Sequence, residues 1–279
     1  MIDDRPLKVI RPPSLSLSVV AAGVKNLVQY AGLLYTFTCL RLGVRYRQSF
    51  LGWLWALLQP LALLISYTVI FSRVAKLPSE GVPYPAFVLC GLVPWGFFSS
   101  AIAAASPSLV HYQDLVMKVY FPREIIPLSY ISASAVDLGI AMVLLLGVMA
   151  SYGMAVTWNL VYLIPILVIL AAFSAAVALL LSAVQVRWRD IGIAVPLLLQ
   201  VWLWATPVVY PIASIPAAGR RLYVLNPLAV LIDSFRQVTL HGHSPDGRLL
   251  TLAGAISLFS LLVSYAAFKN VEATMADFI

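Results

Sequence analysis

From Arg45 to Ser72 the chain reads RYRQSFLGWLWALLQPLALLISYTVIFS, a basic approach running straight into about 22 residues that carry no charge. A helix rises about 1.5 Å per residue and satisfies its own backbone hydrogen bonds, so this stretch is long enough to cross a hydrocarbon layer of roughly 30 Å. The change from Arg41, Arg45 and Arg47 to Leu51-Gly52-Trp53-Leu54-Trp55 also predicts depth and side. Arginine favours the cytoplasmic interface and tryptophan the headgroup level, which places Arg45 inside the cell.

The rest of the chain follows the same chemistry. Only 10% of residues are charged, 62% are hydrophobic and the mean hydropathy is +0.94, far from the balance of a soluble domain. The net charge of +7 reads as membrane orientation and contact with anionic lipid. Nucleic-acid binding is not expected, because no basic face with interleaved aromatics lies outside the apolar runs. Cys39 and Cys90 form neither a disulfide framework nor a metal spacing. Asp3, Asp4 and prolines 6, 12 and 13 do not make a cleavable signal peptide, so residues 1–23 are expected to be a cytoplasmic tail.

Further apolar runs lie at about Pro85 to Val110, Ile125 to Tyr152, Trp158 to Val186, Ile191 to Tyr210 and Leu249 to Phe268. The expected fold is an all-α polytopic membrane protein, a six-span domain over 49–268 with a cytoplasmic tail at 269–279. Twelve of the eighteen lysines and arginines fall on the side of the termini, which predicts that both termini are cytoplasmic.

Two segments do not fit plain spans. Over 24–48, Leu27, Tyr30, Leu34, Phe37, Leu40 and Val44 recur at three and four residues while Arg41, Arg45 and Gln48 align on another face, the pattern of an amphipathic helix at the inner surface. In the external segment 211–246, Leu222 to Leu240 is too apolar for a solvated loop. Broken by Asn226-Pro227, it is also too short to span, which predicts short re-entrant helices between spans five and six. The halves share no repeat, which weakens a secondary-carrier reading.

No glycine-rich phosphate loop exists, and no lysine follows a glycine, so no nucleotide hydrolysis is built into the chain. Any ATP-driven work belongs to a partner. His111 to Glu124 fits docking to one: Leu115, Val116, Val119 and Tyr120 make an apolar stripe and Asp114 and Lys118 a charged pair four residues apart. A short helix resting on the lipid interface fits the same pattern.

Six blocks in order, RYRQSFLGWLWALLQP, GLVPWGFFSSAI, VMKVYFPREIIPL, VRWRDI, WATPVVYP and LNPL, resemble the membrane subunit of ABC polysaccharide exporters, the permeases that move O-antigen, capsule or teichoic-acid polymers. The resemblance runs from about Arg45 to the C-terminus. It implies a homodimer of six-span subunits in the bacterial inner membrane, bound to two cytoplasmic ATPase chains that hold the ATP and magnesium. The substrate would be a polysaccharide, usually lipid-linked, passing between the subunits. The 24–48 helix would then be a gate or interface helix, and 111–124 a coupling helix whose contacts are Asp114, Leu115, Lys118, Val119, Tyr120 and Arg123.

Sugars offer hydroxyls and flat C–H faces, so a polymer path wants aromatic rings and a few amides or hydroxyls without deep charge. Gly52, Trp55, Gln59, Ala62, Ser66 and Arg73 recur at helical spacing on the first span, and Gln200, Trp204 and Val208 on the fifth. The expected lining is Trp55, Gln59, Ser66, Tyr67, Phe98, Gln200 and Trp204, residue types that equally serve helix packing. Arg41, Arg45 and Arg47 stand where a lipid pyrophosphate would arrive, and guanidinium forks suit phosphate; they also serve as inner-side anchors. Asp137, the carboxylate deep in a span, reads as a buried hydrogen-bonding or cavity-facing acid. His241 and His243 with Asp246 read as an external turn, with no metal expected and no catalytic residue recognisable. An ATP-independent carrier and a membrane-embedded glycolipid enzyme are the alternative functions.

Overall fold

In a computed structural model the described residues are 28–47, 49–74, 78–216, 219, 223–272 and 275, all helix or connecting turn with no strand among them. The tail over 1–23 and Arg220 and Arg221 of the external segment lie outside them. So does most of the final tail. The first helix, α1, is Ala31–Tyr46. Next, α2 (Leu54–Tyr67) runs on through a π-helical stretch, Thr68–Val74. Then come α3 (Tyr84–Ala105), α4 (Ser108–His111), α5 (Gln113–Lys118) and α6 (Ile125–Ser151). The last four are α7 (Leu163–Arg187, entered by a 3-10 turn at Trp158–Tyr162), α8 (Ile191–Ala205), α9 (Pro227–Thr239) and α10 (Gly247–Glu272).

Five of these are long and apolar enough to cross a membrane: Leu54–Ser72, Tyr84–Ala105, Ile125–Ser151, Trp158–Arg187 and Gly247–Glu272. The fifth apolar run falls short of the expected crossing. Its helix α8 has 15 residues, about 22 Å at the helical rise, and ends at Ala205 because Thr206 and Pro207 turn the backbone extended. The second run also ends early, at Ala105, before Pro107, whereas Pro94 is carried inside α3. Helix α9 starts where Asn226 caps it, its side-chain oxygen accepting from the Leu228 amide at 3.2 Å, with Pro227 at the first helical position. At 13 residues and buried on nearly every face, α9 is a core element.

The core is centred on α3, α6, α7 and α9. Phe98 anchors it, 5.8 Å from Phe173 and 5.1 Å from Trp202 between ring centroids. Helix α10 packs along α7, and α1 lies on α6. A second cluster, including Leu109, Val116, Phe121, Ile126, Val186, Tyr265 and Phe268, closes the end of the bundle that carries α1, α4 and α5. We call this end basal and the opposite one distal.

At the distal end the backbone after α8 is irregular, and irregular backbone inside an apolar bundle needs internal partners. Arg236, wholly buried on α9, supplies them. Its Nη1 donates to the carbonyl of Pro207 at 2.6 Å, its Nη2 donates to that of Val208, and its guanidinium lies 3.9 Å from the Phe87 ring centroid. Gly91 makes room: a Cβ there would stand 2.3 Å from the Val208 carbonyl oxygen and 2.5 Å from Arg236 Nη2.

Candidate functional site

Helix α1 divides its residues between the bundle and the outside. Leu33 and Phe37 turn inward on the basal cluster and Arg41 is buried beside them, while Leu40 and Val44 look outward. The arginine-bearing side rests on the bundle because aromatic rings and a carboxylate await it there. Arg45 donates from Nη1 to Asp137 Oδ2, and the Tyr46 hydroxyl donates to Asp137 Oδ1 at 2.6 Å. Burial, and then the bond to Asp137, push the Tyr46 phenol up to about 12. Tyr46 stacks on Trp53 at 4.6 Å, which fixes the turn from α1 into α2. Asp137 is therefore both hydrogen-bonded and cavity-facing.

This junction forms the polar end of a cavity of about 500 Å³ between α1, α2, α3 and α6. Arg45, Tyr46, Gln59, Ser99, Ser100 and Asp137 supply its polar groups, with Trp55 beside them. Leu63, Leu92, Val93 and Phe97 line the remainder, so the space is amphipathic. A smaller cavity of about 210 Å³ adjoins the other side of α1, bounded by Arg41, Arg45, Tyr112, Tyr130 and Ser134.

Of the lining expected from sequence, Trp55 and Gln59 meet in the larger cavity and the others do not. Trp55, Gln59, Ala62 and Ser66 are all exposed along one side of α2. Tyr67 and Trp204 are joined through Phe71, with ring centroids 5.7 and 6.1 Å apart, at the distal end. Gln200 is exposed on α8. Phe98 must be corrected: with no exposed surface, it belongs to the core and lines nothing. The three arginines also separate. Arg45 is ion-paired, Arg47 is exposed and Arg41 is enclosed by rings.

The basal face is built by α4, α5 and the turn that follows. Val116 is buried and Leu115 half-buried, anchoring α5 to the bundle. The helix stops at Lys118, and Val119 is extended, so Met117, Val119 and Tyr120 stand 52%, 51% and 92% exposed. Asp114 and Lys118 are exposed as well. Arg123 faces sideways, its Nη1 donating to the Glu272 carbonyl at 3.0 Å and its amide to Glu272 Oε1 at 3.3 Å.

Beneath that turn is a clasp that sequence reasoning missed. Glu124, with no exposed surface, accepts from Lys269 Nζ at 2.8 Å and from the Tyr265 hydroxyl at 3.1 Å, and Lys269 also reaches Glu272 at 2.7 Å. It ties the start of α6 to the end of α10. The available signal was a carboxylate heading one long apolar run and a lysine closing another, since charges there need partners. Arg236 is one of the six lysines and arginines away from the side of the termini, and the sequence by itself gives it no further role. At the distal end His241 faces Glu80 at 3.6 Å.

Residues 32–240 match the family described as ABC-2 type transporter. The chain is similar to the O-antigen export system permease protein RfbA of Myxococcus xanthus, 31% identical over 259 residues, 92% of this chain and 98% of that protein. It is 29% identical to the permease of the same name from Klebsiella pneumoniae over 218 residues, 78% of this chain and 83% of the other. The polysialic acid transport protein KpsM of Escherichia coli is 25% identical over 237 residues, covering 83% and 90%.

Proposed function

The chain belongs to the ABC-2 type transporter membrane family, and on that premise we propose that it is the permease subunit of an ATP-driven exporter that carries a lipid-linked polysaccharide across the bacterial inner membrane. The carrying observation is the family match over residues 32–240, the region holding both cavities and the basal face. Relatives named for O-antigen export and polysialic acid transport support a polysaccharide substrate.

In this reading α8 completes six crossings, both termini are cytoplasmic, and α9 with the segment before it enters from the outer side. Two copies enclose the path. The exposed stripe Trp55, Gln59, Ala62 and Ser66 supports this, since a small and polar face on a span otherwise made of large aliphatics suits a lumen better than lipid. Tyr67, Gln200 and Trp204 continue the path distally, and Arg41, Arg45 and Arg47 receive the headgroup at the gate helix α1.

The nucleotide sits on two partner ATPases. Exposed Met117, Val119 and Tyr120 offer them an apolar handle on a basal face, with Asp114, Lys118 and Arg123 around it. The Glu124 clasp would pass a push on this handle into α6 and α10 as nearly rigid bodies. Asp137, committed to Arg45 and Tyr46, favours this reading over a proton-coupled carrier.

The test is purification of the tagged chain from its native membranes in mild detergent. An ATPase is expected to co-elute with the wild type and to be lost when Val119 and Tyr120 are both changed to Asp, with membrane insertion unchanged. Transport of a polyprenyl-linked glycan by the chain alone, without nucleotide, would overturn the reading.

A further inference from the structure

We propose that the distal turn 79–82 is held by a proton-operated catch: with a proton on His241 the turn is tied to the end of α9, and without that proton the tie is released. His241 Nε2 stands 3.6 Å from Glu80 Oε2, with the two side chains 24% and 33% exposed. That separation lies beyond a good hydrogen bond, so a neutral imidazole gains little there, whereas an imidazolium gains an ion pair. Histidine is the side chain whose charge ordinarily changes between about pH 5 and 8.

Both halves are built for the contact. Glu80 has a φ of +54° and Gly81 one of +83°, and the Val82 amide donates to the Ser79 carbonyl at 3.1 Å. This is a tight turn with both central residues left-handed, a place that favours glycine, asparagine or aspartate. A glutamate there costs conformational energy, and its longer side chain adds the reach to His241. The histidine comes from the other side on a fixed support. Gly242 follows it at a φ of +64°, its carbonyl accepts from Asn159 Nδ2, and a Cβ at Gly242 would stand 2.7 Å from Thr157 Cγ2. The His243 amide donates to the Gln237 carbonyl at 3.0 Å. The imidazole is therefore carried by a turn fastened to α9 and to the connection into α7, while Glu80 belongs to the connection between α2 and α3.

The neighbouring charges are already engaged. Asp233 interacts electrostatically with both members of the pair, and Arg236 with Glu80. Asp233 accepts from Gln237 Nε2 at 2.8 Å, however, and Arg236 is held by the carbonyls of Pro207 and Val208. Asp246 accepts from the Arg248 amide at 2.8 Å at the start of α10. His243 is exposed, with its ring centroid 6.4 Å from that of His241, so solvent screens any charge it takes up. The tie is thus present while the imidazole is protonated and Glu80 ionised, and is lost as pH rises through the titration of the imidazole. On the exporter reading this face is outside the cell and the catch senses external acidity; the contact itself does not rest on that reading.

The experiment is hydrogen exchange of the full chain in phosphatidylcholine nanodiscs at about pH 5.5 and about pH 8, either end of the histidine range, with labelling times scaled for the intrinsic pH dependence of amide exchange. Peptides covering 78–82 are expected to be about threefold better protected at the lower pH, the effect of a partly exposed ion pair, with those over α3 unchanged. His241→Gln and Glu80→Gln should each bring the acid protection down to the alkaline level. His241→Lys, whose cation persists, should keep the higher protection at both, and His243→Gln should leave the wild-type difference in place. Equal protection at the two pH values in the wild type, a difference that survives either His241→Gln or Glu80→Gln, or one that disappears with His243→Gln, overturns the catch. Neither nucleotide nor an ATPase enters the measurement, so failure of the exporter reading is read separately from ATPase co-elution.

Discussion

Helices α2 and α3 begin from nearly the same sequence chemistry and end in opposite places. Their best windows have mean hydropathies of 1.9 and 1.8, yet 11% of the first is buried in the protein and 78% of the second. Hydropathy measures only the advantage of leaving water, and lipid provides that as well as protein does. What separates them is how closely another backbone can approach. On α3, Gly91 admits the Val208 carbonyl and Arg236, and Ala101 and Ala105 are fully covered. On α2 only Ala56 and Leu64 are buried, while Leu63 and Ile65, with Val69 and Ile70 in the π-helical stretch that follows, face outward. One helix is a central post and the other an outer wall.

The contrast breaks first at Gly91. Gly91→Val puts a branched side chain against a backbone carbonyl that cannot retreat, and is expected to cost about 3 kcal/mol or more and abolish monodisperse protein on size exclusion. Ala62→Val on the exposed side of α2 should leave yield unchanged; equal losses would erase the distinction.

Phe98→Ala comes next, expected to lower stability by about 3 kcal/mol, at the lower end for such truncations because the cavity remains while lipid replaces water as the outside reference. Trp55→Ala, on the exposed face, is expected to stay within about 0.5 kcal/mol yet reduce glycan export. Thermal melting in detergent paired with an export assay separates the two.

The smallest effect is expected from Asp137→Asn. Arg45 is 43% exposed at the side chain, so solvent screens the pair, and the loss should be about 1 kcal/mol. Hydrogen exchange should rise over α1 and the start of α2 and stay unchanged over α3. A rise spread evenly over the bundle would show that the pair holds the core rather than the wall.

The same contrast explains what could be read in advance. Where length and hydropathy decide, as at Ile125 to Ser151 or Trp158 to Arg187, span limits were legible to within a residue or two, and so was the break at Asn226-Pro227. Where the answer depends on what stands opposite, it was not. Phe98 looked like a lining aromatic because nothing local announces Phe173 and Trp202 on other helices. The partners of the arginines on α1 were not legible either, because nothing local announces Tyr112, Tyr130 and Asp137 on other elements. Trp55 and Gln59 share the larger cavity because their helical spacing puts them on one side of α2, and that spacing is visible in the sequence.

The Arg236 anchor limits how the molecule can widen. A loop free of such a tether could fold aside as a flap, but the turn after α8 is riveted to the innermost helix by carbonyls that have no solvent to turn to. The distal rim therefore takes its shape from α9, whereas α2, with 11% of its window buried, leans least on the rest of the chain among the five long apolar helices.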